Sequence, residues 1–433
     1  MFPRATAEQG GGQMTAMASQ TREKAFDSAM LGPVYVRNRL IRAGTGESMG
    51  DGNGGIGDAY LSLHRDLARG GVGLSFTGHI YVDPRGRYGD LQAGLDRDEL
   101  IPDLGRVTDA VHRAGGRIFA QLGHAGSQSM SFDTDALAPS AVENVMTGRQ
   151  VRSATTDEIE STIAAFAHAA RRAMEAGFDG VHLHGANGYL LSQFRSPLTN
   201  TRSDAWGGDQ TGRDRFALEV IRAIRREVPA DRGFTMKVGA ADLVDRPGGL
   251  DLDTGIGGII RFVDAGLDAV EISSNLMSDY VSASIRGYIA VDRRRALRDL
   301  LFHRLHRKPE DEAYFLPFAD ELRSRSDAQI ILVGGVRRRQ TIVDLVASGR
   351  TDFVSMARPF IREPDLALRL VDQGQELPAC VSCNICLMHD EHHALRCWRI
   401  PRSNLLRHAL YRLRGGFKGH GSGRKPSAPP RDE

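Results

Sequence analysis

The chain has 433 residues, of which 41% are hydrophobic and 25% charged, and its formal net charge is +2. This composition is typical of a globular protein with a sizeable core, and the length allows two or three domains or one large barrel. No window approaches about 18 uninterrupted apolar residues, so we expect no membrane-spanning helix. The first residues lack the apolar stretch of a secretory signal. We therefore predict a disordered leader over residues 1–24 and a cytoplasmic protein.

The small net charge is the sum of an acidic body and a basic tail. From Arg399 to Glu433 there are nine Lys and Arg against two Asp and Glu, a net charge of +7, which leaves −5 for the rest. Gly and Pro are frequent near the C-terminus, and such a composition buries too little apolar surface to order itself. We predict a basic, largely disordered tail over residues 401–433, and no nucleic-acid partner.

A short helix beginning at Ser403 is predicted within this tail. Its apolar face would carry Leu405, Leu406, Ala409, Leu410 and Leu413. A basic amphipathic helix can lie on an anionic membrane surface. We favour the alternative, a helix that docks on the protein and is followed by disorder.

Eight short apolar or β-branched runs, each followed by a helical pattern, are predicted as strands. They cover residues 40–43, 72–76, 118–122, 180–183, 235–238, 269–272, 330–333 and 353–356. Eight β/α alternations are typical of a TIM barrel. The alternative, a doubly wound sheet, would be expected to carry Gly-x-Gly-x-x-Gly after its first strand, which is not seen here. We predict an α/β fold, a TIM (β/α)8 barrel over residues 25–375, with a long insertion at 276–313 on the catalytic face.

Polar residues and glycines follow the carboxyl ends of these strands, where TIM barrels place their active sites. Gly334-Gly335 and Arg358 follow the seventh and eighth strands, and together they predict a phosphate site. The glycines let backbone amides approach an anion, and the arginine adds a planar, permanently charged guanidinium group. The alternative for Gly334-Gly335 is a simple tight turn.

The segment from His184 to Gly208, HGANGYLLSQFRSPLTNTRSDAWGG, closely resembles the signature of the old yellow enzyme family of FMN-dependent oxidoreductases. Further matches are NRLIRAGT, ARGGVGLSFTG, QLGHAG, APS and SMARPFIREPDL, which follow one another in consistent order over about residues 25–370. The resemblance implies a TIM barrel with FMN at the carboxyl ends of its strands. NAD(P)H would be the reductant, and the substrate would be a small enone-like molecule.

Three residues of the signature carry the catalytic roles that the resemblance implies. His184 and Asn187 would bind the carbonyl oxygen of the substrate and favour hydride addition from flavin N5 at the β-carbon. Tyr189 would give a proton to the α-carbon. The expected activity is reduction of activated C=C bonds. The alternative is an oxidative N-demethylase or dehydrogenase that passes electrons to an external acceptor.

The resemblance also implies the residues that bind FMN. Gln121 would contact the pyrimidine edge of the flavin, and Lys237 would lie near flavin N1, where many members have Arg. The ring edge and the phosphate would be held by Ala43, Thr45, Gly78, Gly334, Gly335, Ala357 and Arg358. Trp206 replaces the Tyr that is usual in the D-x-Y-G-G part of the signature.

All four cysteines lie in the predicted segment 376–400, spaced C-x2-C-x2-C-x10-C. They are Cys380, Cys383, Cys386 and Cys397. Such spacing lets one loop wrap a metal or cluster, and it resembles the iron–sulfur segment of 2,4-dienoyl-CoA reductase-like members, whose third spacing is one residue longer. A [4Fe–4S] cluster, a zinc ion with His389, His392 or His393 as a further ligand, and a metal-free group of thiols remain open. A cluster would call for an external electron partner.

Overall fold

The structure, a computed structural model, describes residues 24–131, 134–144, 148–244, 247–276 and 312–414. Three predictions therefore fall outside it in whole or in large part. They are the leader at 1–24, of which only Lys24 is described, the insertion at 276–313, of which 277–311 are not described, and the tail after 414.

The strands of the described residues include all eight runs predicted from the sequence, with ends that differ by up to two residues. They are β1 (Ala29–Leu31), β2 (Val34–Val36), β3 (Leu40–Arg42), β4 (Leu74–Phe76), β5 (Ile80–Tyr81), β6 (Ile118–Gly123), β7 (Leu137–Ala138), β8 (Val142–Glu143), β9 (Gln150–Ser153), β10 (Gly180–Gly185), β11 (Gly233–Gly239), β12 (Ala269–Ser273), β13 (Gln329–Leu332) and β14 (Phe353–Met356).

The helices mostly alternate with the barrel strands. They are α1 (Asp58–Arg69), α2 (Ile101–Arg113), α3 (Thr156–Glu175), α4 (Leu190–Arg195), α5 (Gln210–Glu227), α6 (Leu252–Asp264), α7 (Leu316–Arg323), α8 (Arg339–Ala347), α9 (Arg358–Arg362), α10 (Leu366–Val371), α11 (Ile385–Met388) and α12 (Ser403–Leu413). Helix α3 begins with a capping box, in which the Thr155 side chain accepts from the Glu158 amide and the Glu158 side chain accepts from the Thr155 amide.

Eight parallel strands close into a barrel in the order β3-β4-β6-β10-β11-β12-β13-β14, and β14 pairs with β3. The predicted TIM barrel is confirmed. Nearly every residue of these strands is buried, because helices cover the outside and side chains fill the inside. Strand β5 adds to the top of β6, and β7, β8 and β9 form a small separate sheet.

The hairpin β1–β2 closes the amino-terminal end of the barrel. Leu31, Val34 and Val36 form one buried cluster with strand residues such as Phe76. The Gln329 side chain accepts a hydrogen bond from the Gly32 amide at 2.9 Å. Because this end is plugged by apolar side chains, the opposite end is left for chemistry.

The cysteine segment packs directly on loops at the carboxyl ends of the strands. The Ser48 hydroxyl donates to Asp390 at 2.8 Å, and the Leu395 amide donates to the Glu47 carbonyl at 2.8 Å. The Leu91 amide donates to Glu391 at 2.9 Å. This segment therefore supports the rim of the barrel mouth from outside.

Helix α12 forms as the sequence predicts, but its leucine face does not dock. Leu406, Leu410 and Leu413 are 64%, 42% and 76% exposed, whereas Asn404 and His408 are buried. The docking surface is polar and aromatic, because His408 contacts the His389 imidazole and the Trp398 ring and not an apolar groove. No helix in the described part of the chain has the length and apolar character needed to cross a membrane.

Candidate active site

A layer of polar side chains lies inside the barrel just below its mouth. The Glu271 carboxylate, fully buried on β12, is 2.7 Å from the Lys237 ammonium and 3.2 Å from His182 Nε2. His182 Nδ1 shares a hydrogen bond with the Thr235 hydroxyl at 2.8 Å, and the Ser355 hydroxyl donates to Glu271. Five residues on four strands, β10, β11, β12 and β14, thus form one hydrogen-bonded network.

This network fixes the charge state of Glu271. Burial alone would raise the pKa of this carboxyl, but the Lys237 ammonium and the His182 hydrogen bond outweigh burial and lower the pKa well below its usual value. Glu271 is therefore ionised and neutralises Lys237. Sequence analysis identified Lys237 and missed Glu271, which sits within an apolar-looking strand and gives no local signal.

His184 lies two residues after His182 on β10, so both side chains point to the inside of the barrel. The His184 ring meets the Tyr189 ring edge-on, with centroids 4.8 Å apart. His184 Nδ1 is buried and has no hydrogen-bond partner among the described residues. Burial is the main reason that the pKa of His184 lies well below its usual value, and the nearby Lys237 charge lowers it further. The imidazole is therefore neutral and has an unused polar atom.

Asn187 stands beside this ring pair in a left-handed backbone conformation, with φ of 60°. Asn tolerates this conformation better than most residues. The backbone amide of Asn187 donates to the Ser274 carbonyl at 3.0 Å, and the Ser273 hydroxyl donates to the side-chain oxygen of Asn187 at 3.2 Å. The side-chain NH₂ group remains as a donor. The structure thus brings His184, Asn187 and Tyr189 together at one place.

Gln121 and the loop after β3 form the neighbouring wall. Gln121 is buried, and its backbone amide donates to the Thr77 hydroxyl at 2.8 Å. Its side-chain nitrogen, Nε2, has no partner in the described parts of the chain. A Cβ on Gly44 would lie 2.5 Å from the Gln121 side chain, so only glycine allows this approach. Ala43 is buried at the end of the strand, and the Thr45 hydroxyl donates to its carbonyl at 3.2 Å.

A buried ion pair that sequence analysis missed holds this loop. Arg42 lies 3.1 Å from Glu47, which also accepts from the Gly78 amide at 2.6 Å and is 3.4 Å from His64. Burial would raise the pKa of Glu47, but Arg42 and then His64 outweigh it and lower the pKa. The Gly78 amide is thus used within the protein. Gly78 permits close approach of two loops, and its N–H is not left for a cofactor.

The predicted phosphate residues lie on neighbouring strands, as expected from their order. Gly334 and Gly335 both have positive φ, 110° and 82°, a conformation that suits glycine. Ala357 and Arg358 follow β14. One Arg358 Nη atom donates to the Asn384 side chain in the cysteine segment, a contact that the sequence did not predict.

The four cysteines line one cavity together with Arg358, Asn384 and Trp398. All four are unpaired thiols. The histidines suggested as further zinc ligands are not among the residues lining that cavity. His389 instead contacts His393 at 3.0 Å and His408 at 2.9 Å. In the described residues no group of three or more His, Cys, Asp and Glu is arranged to hold a metal ion.

The second half of the signature segment is structural. Arg195 and Asp214 form a fully buried ion pair at 3.0 Å, and Arg195 also donates to the Gly239 carbonyl at 2.6 Å. Trp206, the departure from the family pattern, is buried beneath the Arg215 guanidinium at 4.9 Å. These contacts anchor the loop that begins with the catalytic candidates.

Sequence analysis also missed a group of aromatic rings packed around Tyr189. His79 and Tyr88 pack edge-on at 5.5 Å, and both contact the Tyr189 ring, at 5.2 and 5.9 Å. His79 directly follows Gly78 at the end of the second predicted strand. The rule that polar residues at strand ends mark the site would have found His79.

Comparison with known proteins first gives the class, flavin-dependent oxidoreductases built on a (β/α)8 barrel. The family model described as NADH:flavin oxidoreductase / NADH oxidase family matches residues 24–376. The chain belongs to this family, the old yellow enzyme family, and is an FMN-dependent NAD(P)H oxidoreductase.

Two curated relatives show the extent of the similarity. The 4,4'-dithiodibutanoate disulfide reductase of Rhodococcus erythropolis is 32% identical over 373 residues, which are 84% of this chain and 92% of the relative. The NADH oxidase of Thermoanaerobacter brockii is 31% identical over 365 residues, which are 83% of this chain and 52% of the relative. The chain therefore spans about half the length of that second relative.

Two solved structures share the fold. A 2-naphthoyl-CoA reductase in complex with 2-naphthoyl-CoA has a TM-score of 0.77 and 25% identity over 89% of this chain and 58% of its own. A morphinone reductase in complex with tetrahydroNAD has a TM-score of 0.65 and 24% identity over 83% of this chain and 93% of its own.

Proposed function

We propose that this protein reduces the activated C=C bond of α,β-unsaturated carbonyl substrates, with NAD(P)H as the reductant. The observation that carries the proposal is the buried Nδ1 atom of His184, which has no partner among the residues that the structure describes and whose ring contacts Tyr189. A buried polar atom without a partner costs stability unless a ligand satisfies it. A carbonyl oxygen between His184 and Asn187 would accept from both.

The residues present fit FMN. Gln121 has a buried side-chain nitrogen with no partner in the described parts of the chain, which would match a polar ring edge, and Lys237 would supply a cation near flavin N1. Gly334 and Gly335 present amides suited to a phosphate, with Ala357 and Arg358 on the neighbouring strand. Ala43 and Thr45 would line the ring edge. When bound, FMN supplies the two-electron redox chemistry that the side chains lack.

His184 and Asn187 polarise the substrate in this proposal. Because its low pKa keeps His184 neutral, the ring acts as a hydrogen-bond donor and does not transfer its own proton. Two donors on the carbonyl oxygen stabilise the negative charge that develops there when hydride adds at the β-carbon. Tyr189, in edge contact with His184, then gives its phenolic proton to the α-carbon.

Replacement of Tyr189 tests the assignment. We expect Tyr189→Phe to slow oxidation of the reduced enzyme by 2-cyclohexenone by about 100-fold, the usual contribution of a general acid, and to leave reduction by NADPH unchanged. Stopped-flow absorbance of each half-reaction measures this. Tyr35→Phe, on the exposed face of the basal hairpin, is the matched control. Equal loss in both half-reactions would contradict the role of Tyr189.

The cysteine cavity favours a second candidate, a dehydrogenase that passes electrons through a [4Fe–4S] cluster to an external acceptor. Four thiols around one cavity are the donor set of such a cluster, which is larger than a single ion. Unpaired thiols also support a cytoplasmic location. Iron and acid-labile sulfide in anaerobically purified protein test the cluster. Absence of both elements would exclude it, and with it the support for this candidate.

A further inference from the structure

His79 is a histidine of the candidate site that the proposed function does not use. Its ring centroid is 5.2 Å from that of Tyr189, 5.5 Å from Tyr88 and 5.9 Å from His184. A Cβ on Gly123 would lie 3.2 Å from His79 Cβ and 3.6 Å from His184 Cβ. The two histidines therefore flank Gly123 on either side at the barrel mouth.

Gln92 determines which nitrogen of His79 carries the hydrogen. The backbone amide of Tyr88 donates to the side-chain oxygen of Gln92, Oε1, at 2.6 Å. The other polar atom of the Gln92 side chain is therefore its NH₂ nitrogen. This NH₂ donates to the His79 carbonyl at 2.7 Å and to His79 Nδ1 at 2.5 Å. Since Nδ1 accepts, the hydrogen of the neutral ring is on Nε2.

His79 also stays neutral over the physiological pH range. Burial lowers its pKa to about 4, and the opposing effect of Glu47 is smaller. Above that pH the ring is a fixed Nε2–H donor, with Gln92 on its Nδ1 edge and aromatic rings around it. The geometry of the Gln92 contacts establishes the tautomer, and the low pKa agrees with it.

The charges near the site disfavour an anionic substrate group. Lys237 is paired with Glu271 at 2.7 Å and Arg42 with Glu47 at 3.1 Å, so each of these two cations already has a carboxylate partner. A neutral imidazole adds a donor but no charge. A second substrate group beside His79 would therefore be a neutral oxygen acceptor, such as a carbonyl or a hydroxyl.

We propose that His79 is a specificity-determining residue that donates from Nε2–H to a second, neutral oxygen of the substrate. The preferred substrates are then unsaturated carbonyl compounds with a second carbonyl or hydroxyl group, ahead of simple enones. This inference rests on the proposed function, because it assumes that His184 and Asn187 hold the first carbonyl oxygen.

A matched pair of substrates tests the inference. Ketoisophorone has two ring carbonyls, and its analogue without the second carbonyl serves as the control. We expect His79→Phe, which keeps a ring but removes the donor, to lower kcat/KM for ketoisophorone about tenfold, mainly through KM. This is the effect of losing one neutral hydrogen bond. The value for the analogue should change less than about twofold.

A second variant separates contact from packing. His79→Gln keeps a donor without the ring, and we expect it to retain part of the preference for ketoisophorone. FMN content and Tm are measured for each variant, because both should stay unchanged. Equal losses for both substrates, or no loss for either, would overturn the proposed role of His79 and leave the proposed function unaffected. Failure of the FMN-loaded wild-type protein to reduce either substrate would overturn the proposed function as well.

Discussion

The pair formed by Lys237 and Glu271 shows how one buried charge depends on another. Glu271 is fully buried and its ionised form is retained because Lys237, His182 and Ser355 surround it. Removal of a single partner from a buried ion pair leaves an uncompensated charge, which costs far more than the pair itself contributes.

We therefore expect Lys237→Met to lower the free energy of unfolding by about 3–5 kcal/mol, because Glu271 loses its countercharge. The double variant Lys237→Met with Glu271→Gln should recover most of this loss, since neither charge remains. Urea unfolding followed by circular dichroism measures both. Lys237→Arg keeps the charge and is the control. If the single and double variants are equally unstable, the loss is one of packing and the electrostatic account is wrong.

At the scale of elements, helix α12 shows where sequence patterns stop being informative. Its leucines repeat at a helical period, which predicts a helix correctly but not the face that docks. The docked face carries Asn404 and His408, which are buried. His408 shares a hydrogen bond with His389, whose ring also stacks on that of Trp398 with centroids 3.6 Å apart. That surface is assembled from residues distant in sequence, so a helical wheel drawn from one segment does not contain it.

The barrel strands, by contrast, could be predicted because the signal for each of them lies within its own stretch of sequence. A parallel strand covered on both faces is a continuous apolar run, and the following helix has a 3.6-residue period, so each β/α unit carries its own signal. The site was predicted where a motif or a strand end marked it, as at His184 and Gln121. Glu271 and Glu47 gave no such signal, because their roles depend on partners, Lys237 and Arg42, that only the closed barrel brings near.

At the scale of the whole molecule, the cysteine segment and the barrel are joined through two adjacent acids. Asp390 accepts from Ser48, beside the loop held by Arg42 and Glu47. Glu391 accepts from the Leu91 amide, next to Gln92, which holds His79. The segment that carries the thiols therefore also supports two of the loops at the mouth of the barrel.

The stability of this junction should depend on pH. Burial, and next the charge of Asp390, raises the pKa of Glu391 from 4.5 to about 8. The folded protein thus binds this proton more readily than the unfolded chain does. The resulting stabilisation is complete below the unfolded pKa and is lost as pH rises through about 8. Glutamine at this position does not titrate, so it should remove the pH dependence that Glu391 contributes. Its side-chain oxygen can still accept from the Leu91 amide.

We expect the Tm of the wild-type protein to fall between about pH 5 and about pH 8, and that of Glu391→Gln to fall less, so that the variant is the more stable protein at the higher pH. Thermal unfolding across this range measures the difference, and Glu376→Gln, at an exposed position in the same segment, is the control. Wild type and Glu391→Gln with parallel pH profiles would mean that Glu391 titrates normally and that the junction is held by its backbone contacts alone.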